Sequence, residues 1–265
     1  MMQQQPAASG VATGAPNVAV QLQDVTLRYG PKIVLERCSL ECRRGQVSAV
    51  IGPSGAGKST ILRLVSGLRR PDAGRVFVDG EDITDSPERD LIEMRRHMGF
   101  AFQFAALFDS LTVAENVAFP LYEHTKLSKS EVDKKVLDTL ASLGLNDVEN
   151  RLPAELSGGM QKRVGFARAI VNDPSILLFD EPTTGLDPIM THVITSTILD
   201  IQSRLRATSI VVTHDLPFVF AVADYVALLF EGSIIEAGTG RELRQSSNPL
   251  VQQFLQGSAL GPIPL

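Results

Sequence analysis

Gln46-Val-Ser-Ala-Val-Ile51-Gly52-Pro53-Ser54-Gly55-Ala56-Gly57-Lys58-Ser59-Thr60 is the stretch that decides the fold. A short apolar strand, Gln46 to Ile51, runs into a glycine-rich loop. Beyond it Ile61, Leu62, Leu64, Val65 and Leu68 repeat at helical spacing. The loop fits the pattern G-x-x-x-x-G-K-[ST] and lies between strand and helix, the context in which that pattern cradles phosphate. Its glycines let backbone N–H groups converge on phosphate oxygens, and the start of the helix adds a favourable dipole. Lys58 is expected to neutralise β/γ-phosphate charge, and the Ser59 hydroxyl to ligate Mg²⁺. The bland alternative, a glycine-rich turn with an incidental lysine, fits the flanking elements poorly.

Upstream, Val18, Val20 and Leu22 alternate, and Val25, Leu27 and Tyr29 alternate in the opposite phase, which predicts a strand with a bulge between them. Alternation returns over Val34 to Cys42, and Arg75 to Asp79 and Met98 to Phe102 read as further strands. From about Phe104 to Val171 the pattern is mainly helical: Val132, Val136, Leu140 and Leu143 recur at three and four, with Gly144 as a stop. Strand-like runs resume at Ile176–Phe179, Ile210–Val212 and Val226–Phe230, separated by helical segments, which predicts βαβ units and a largely parallel sheet. The expected architecture is an α/β core interrupted by a helical insert, without internal repeats.

Ile176-Leu-Leu-Phe-Asp180-Glu181 reads as a strand buried on both faces and ending in two carboxylates, at the edge where α/β proteins place ligands. Adjacent residues on an extended chain point differently, so Asp180 is expected to hold hydrated Mg²⁺ while Glu181 orients and polarises an attacking water. Leu156-Ser157-Gly158-Gly159-Met160-Gln161 opens a helical run containing Arg163, Ala167, Arg168 and Ile170. Ser157 is a good N-cap, and the glycines leave backbone N–H groups clear, making a second anion-binding helix start. One triphosphate tail cannot fill two phosphate-binding surfaces of one chain. Two subunits arranged head to tail resolve this, each serine–glycine loop closing over its partner's phosphate loop.

These motifs, in this order over roughly residues 18 to 240, resemble the nucleotide-binding domain of ABC transporters. The resemblance implies a P-loop NTPase (RecA-like) core at 17–240, with an N-terminal antiparallel β-subdomain and an α-helical subdomain at about 104–171. It also implies ATP with Mg²⁺ and a homodimer enclosing two nucleotides. The phosphate loop, Gly52, Pro53, Ser54, Gly55, Ala56, Gly57, Lys58, Ser59 and Thr60, would carry the triphosphate. Gln103 would lie in the Q-loop between metal and membrane partner, and Tyr29 would stack on adenine. Leu156–Met160 would be the signature motif, with Ser157, Gly158 and Gly159 as its phosphate donors. Gly185-Leu186-Asp187 would form the D-loop and His214 the switch histidine. Glu181, His214 and Lys58 would be the catalytic set. Met160 stands where the family has Gln, a departure that leaves the phosphate donors in place.

Within that family, Gln103 to His124 and Pro153 to Arg163 look like the ATPase of Mla-type phospholipid transporters, as does the Gly261-Pro-Ile-Pro-Leu265 ending. That likeness implies a polytopic permease and an MCE-domain lipid-binding protein as partners, and a place on the cytoplasmic face of the inner membrane. A small-solute importer would share every catalytic motif. A non-transport ABC ATPase would carry coiled coils or DNA-binding domains between these motifs, and a regulatory module would have no need of Lys58, Asp180, Glu181 and His214 together.

A net charge of −5 argues against nucleic acid as a partner. No stretch approaches the roughly 18 apolar residues of a membrane helix, the longest, Phe218 to Phe230, being broken by Asp224. Cys38 and Cys42 read as buried thiols rather than metal ligands. His97 and His124 fit no catalytic motif, and Arg69-Arg70 and Arg95-Arg96 read as solvated helix ends. Residues 1–16 read as a flexible tail. Residues 241–265 read as an extension with a short amphipathic helix that packs on a second subunit.

Overall fold

The structure is a computed structural model that describes residues 17–263. The expected tail at 1–16 therefore lies outside the described residues, as do Pro264 and Leu265. Strands β1 (Val18–Tyr29), β2 (Lys32–Arg43), β4 (Ala73–Val78) and β5 (Glu81–Asp82) form an antiparallel sheet in the order β2-β1-β4-β5. The phase change within β1 is a register shift between Leu22 and Val25, with Asp24 at φ 47°.

Six further strands, β3 (Val47–Ile51), β6 (Met98–Ala101), β7 (Ile176–Asp180), β8 (Thr208–Val212), β9 (Tyr225–Phe230) and β10 (Ser233–Gly238), order as β10-β9-β3-β8-β7-β6. All pairs are parallel except β10 on β9. The parallel strands are apolar on both faces because both are covered. Ile176 and Leu178 face the antiparallel sheet and α1 (Lys58–Val65), while Leu177 and Phe179 face the helices that follow.

Between β6 and β7 the chain forms α3 (Val113–His124), α4 (Lys129–Ser142), a short 3₁₀ turn and α5 (Gly158–Ile170). Their buried face, Val117, Leu121, Val132, Val136, Leu140 and Val164, joins the same core as Leu177 and Phe179. Helix α4 stops at Leu143, and Gly144 follows at φ 67°. Residues 105–112 are not helical. The fully buried Asn116 holds them as a loop, accepting from Phe108 N and donating to the carbonyls of Phe108, Leu111 and Thr112 at 3.0–3.1 Å.

Three elements lacked a sequence signal, the two-residue β5 among them. Helix α2 (Glu88–Arg95) buries only Leu91, and β10 is half-buried along most of its length, so neither has a clear period. Helix α1 is shorter than the apolar repeat suggests. It ends at Val65, where Ser66 Oγ donates to Leu62 O (2.8 Å), leaving Leu68 exposed and Arg69-Arg70 beyond the helix. The remaining helices are α6 (Pro188–Leu205), α7 (Leu216–Val222), α8 (Gly240–Arg244) and α9 (Pro249–Gln256). After α9 the chain turns back on its own helix. The Gln253 amide donates to Ser258 O and Ile263 O, and its oxygen accepts from Ile263 N (2.6 Å). Burial pushes the Cys38 and Cys42 thiols up to about 12, which makes them inert packing groups.

Three helix starts are built alike. Thr112 with Glu115, Ser128 with Glu131, and Thr239 with Glu242 each form a reciprocal capping box. Hydrogen bonds from the capping residue hold each of these glutamates below its ordinary value of 4.5. A lowered folded-state value contributes stability that is complete above 4.5 and is lost as pH falls below 4.5 and through the lower folded-state value. Helicity followed by circular dichroism in an acid titration should therefore fall at a higher pH in Ser128→Ala than in the parent. Unchanged acid transitions would show the boxes to be inconsequential.

Candidate active site

Strands β3, β8, β7 and β6 are neighbours and parallel, so the segments that leave their C-terminal ends emerge at one edge of the sheet. From β3 comes the loop Gly52–Gly57, from β7 the pair Asp180-Glu181, from β8 Thr213-His214, and from β6 Gln103. They enclose an open cleft of about 440 Å³ lined by Ser54, Lys58, Gln103, Glu181, Thr184 and His214, among others.

Helix α1 begins without a side-chain cap. The amides of Gly55, Gly57, Lys58 and Ser59 make no hydrogen bond among the described residues, so they are free to take phosphate oxygens. Lys58 is buried and curls back on its loop, Nζ donating to Gly52 O (2.8 Å) and Pro53 O (3.1 Å), 3.7 Å from Glu181 Oε1. Burial pushes its ammonium below its ordinary value against the opposing pull of Glu181 and Asp180.

Glu181 sits at φ 46°, in the left-handed region, its N–H donating to Val212 O (2.8 Å). Its Oε2 accepts from Thr184 Oγ1 (3.0 Å) and Thr213 Oγ1 (2.9 Å), and His214 Nδ1 lies 3.0 Å away. Burial pushes this carboxyl up. The hydrogen bonds from His214 and Thr213, with the charges of His214 and Lys58, outweigh burial and hold it below its ordinary value. Glu181 is thus an ionised acceptor at neutral pH, suited to orienting a water.

Asp180 Oδ1 accepts from Ser59 Oγ at 2.8 Å. Burial pushes the Asp180 carboxyl up, the Ser59 bond opposes this and the Glu181 charge adds to it. A hydroxyl and a half-buried carboxylate side by side are hard oxygen donors that fit Mg²⁺. No cluster of three His, Cys, Asp or Glu suitable for a metal exists among the described residues. Two protein donors suit a cation that arrives with phosphate and water as its other ligands.

Gly52, Pro53, Ala56 and Asp180 lie behind the lining of this cleft, Asp180 bonded to Ser59, and Tyr29, Ser157, Gly158, Gly159 and Asp187 do not line it. Tyr29 is half-exposed at the end of β1 with the Arg69 guanidinium 5.3 Å from its ring centre. Ser157 caps α5, accepting from Met160 N (3.3 Å), and Asp187 caps α6, accepting from Met190 N (2.9 Å). Gly159 is packed so closely on Met190 that a Cβ there would meet its methyl at 2.1 Å. Three residues around Glu181 escaped sequence reasoning. Thr213 is wholly buried, Thr184 follows the strand end, and Lys162 reaches the carbonyls beyond it. A hydroxyl directly before His214 was the available signal for Thr213; nothing local marked the others.

The profile of the ABC transporter family matches residues 35–184. The chain is 40% identical over 244 residues to the intermembrane phospholipid transport system ATP-binding protein MlaF of Haemophilus influenzae, covering 92% of each chain. It is 41% identical over 260 residues to the probable ribonucleotide transport ATP-binding protein mkl of Mycobacterium tuberculosis, covering 98% of this chain and 72% of the relative. Among solved structures it is similar to the dimeric post-hydrolysis state of the ATP-binding cassette MJ0796 bound to ADP and Pi. That match has a TM-score of 0.76 and 33% identity, over 83% of this chain and 98% of that one. With the phosphate loop, the paired carboxylates and the histidine gathered at one sheet edge, the chain belongs to the ABC transporter family as its ATP-hydrolysing subunit.

Proposed function

We propose that this chain works as a homodimer that hydrolyses two ATP molecules to drive phospholipid movement between membranes through a separate permease. The observation that carries the catalytic half is the meeting of Lys58, Ser59, Glu181 and His214 in one cleft, with Asp180 bonded to Ser59 behind it. The free amides of the phosphate loop bind the triphosphate, and Lys58 leaves its own carbonyls to neutralise it. Ser59 and Asp180 would hold Mg²⁺, with Gln103 nearby, and the ion would supply charge neutralisation to the bound triphosphate. Tyr29 stacks on adenine. Glu181 accepts a hydrogen bond from the attacking water, kept in line by Thr184 and Thr213, and His214 presents its second ring nitrogen to the γ-phosphate. Ser157, Gly158 and Gly159 complete the partner's site, and Asp187 meets the partner at the seam. Catalysis of this kind is mostly positioning and electrostatics, because a loose phosphoryl-transfer transition state needs little covalent help.

The lipid half rests on the likeness to MlaF over nearly the whole of both chains. Our reading adds an MCE-domain protein as partner and a position on the cytoplasmic face of the inner membrane. No helix among the described residues is long and apolar enough to cross a membrane. A second reading, a nucleotide-type solute as cargo, is favoured by the equal likeness to mkl.

Affinity purification of tagged Lys58→Ala protein from detergent-solubilised membranes, followed by mass spectrometry, separates the two. The substitution removes a phosphate contact and leaves the outer surface unchanged. Recovery of a polytopic permease with an MCE-domain protein supports lipid transport. Recovery of a permease with a soluble solute-binding protein overturns it and leaves the ATPase chemistry as described.

A further inference from the structure

Helix α5 does more than present the serine–glycine loop. Lys162 lies five residues into it, 8% exposed, and reaches across to the turn that follows β7. Its Nζ donates to Pro182 O at 2.9 Å and to Glu181 O at 3.4 Å. Among the described residues the Pro182 carbonyl has no other hydrogen-bond partner, and the Glu181 carbonyl has one, Thr184 N at 3.3 Å. Pro182 has no N–H to give, and Glu181 is in a left-handed conformation that a non-glycine residue adopts only when its surroundings impose it. The Glu181 N–H is fixed from one side by Val212 O, and the carbonyl by Thr184 N and Lys162 from the other. Burying an ammonium is costly unless it is well partnered, so a packing role alone would have been filled better by an apolar side chain. Burial pushes Lys162 below its ordinary value while the Glu181 charge opposes this.

We propose that Lys162 is a positioning residue for ATP hydrolysis: by gripping the carbonyls of Glu181 and Pro182 it holds the Glu181 carboxylate where it meets the attacking water. The proposal rests on the water-orienting role of Glu181 given above. It also means that the helix whose start meets one nucleotide of the dimer is tied by a side chain to the backbone of the residue whose carboxylate serves the other. Lys162 touches no substrate and contributes nothing to the phosphate loop, so its loss should fall on turnover and spare binding.

The test compares Lys162→Met, Lys162→Arg and Lys162→Gln with Glu181→Gln, reading kcat, the KM for ATP and MgATP-dependent dimerisation by size-exclusion chromatography. In Lys162→Met the kcat should drop about 10–100-fold, the scale of a misplaced catalytic group, with KM within about threefold. MgATP should still assemble the dimer. Lys162→Arg or Lys162→Gln, which can still donate to a carbonyl, should recover part of the rate, and they carry the test if the Met variant is insoluble. Wild-type turnover in Lys162→Met overturns the proposal. So does joint loss of kcat, nucleotide binding and dimerisation, which marks a structural role, and so does failure of both donor variants to exceed Met. Normal turnover in Glu181→Gln would instead remove the reading beneath it. A stalled Glu181→Gln beside a normal Lys162→Met would sink the Lys162 proposal alone.

Discussion

Glu181→Gln should bind MgATP normally and hydrolyse it about 10²–10⁴ times more slowly, the usual worth of a positioned general base. The substitution keeps the shape of the side chain and its acceptor oxygen for Thr184 and Thr213, 3.0 and 2.9 Å away. It removes the charge that His214 and Lys58 hold ionised. Ground-state binding therefore survives, and the nucleotide-bound dimer should accumulate, visible as a doubled mass on size-exclusion chromatography with MgATP. Phosphate release at the wild-type rate would exclude Glu181 from the water-orienting role. The pH dependence has a defined sign. Glu181 has a lowered folded-state value, so its contribution to stability is complete above 4.5 and is lost as pH falls below 4.5 and through the lower folded-state value. In the Gln variant that part of the acid destabilisation should be missing.

The second large effect is expected of Gly52→Ala. Gly52 leaves β3 at φ +154°, a conformation L side chains rarely adopt, and a Cβ there would lie 2.2 Å from Leu229 O on the neighbouring strand β9. Backbone strain of about 1–3 kcal/mol and overpacking of about 1–3 kcal/mol both apply. At roughly 2–4 °C per kcal/mol for a domain of this size, Tm should fall by roughly 5–20 °C. The loop would also be pushed off its strand, so the rise in Tm that MgATP gives the wild type should shrink. Gly55→Ala is the control. Its φ is +80° but nothing lies within 4 Å of a Cβ there, leaving only the backbone term. Equal Tm values for the two variants would show that contact with Leu229 is unimportant.

Much of this site was legible because its parts are local. A glycine-rich loop between strand and helix, two carboxylates ending an apolar run, and a histidine ending another are each contiguous in sequence, and their chemistry follows from residue type and spacing. The β1 bulge was equally legible, since a change of alternation phase has few other causes. Helix α2 and strand β10 were not, because elements that bury a single residue leave no period. The loop at 105–112 was hidden for another reason: its conformation is set by Asn116, a side chain whose four hydrogen bonds cannot be read from a pattern.

By itself the sequence determined the strand–loop–helix unit, the alternation of strands and helices that builds a parallel sheet, and the residue types able to bind a nucleotide and polarise water. These depend on periodicity and on interactions between near neighbours. Tertiary structure alone decided which groups surround Glu181. Thr213 stands 32 positions away and Lys162 lies 19 positions before it. They meet it only because β7 and β8 are adjacent and α5 packs against the same edge of the sheet. The left-handed backbone of Glu181 belongs with them. Local propensity disfavours it, and it is held by hydrogen bonds from three segments that only the folded chain brings together.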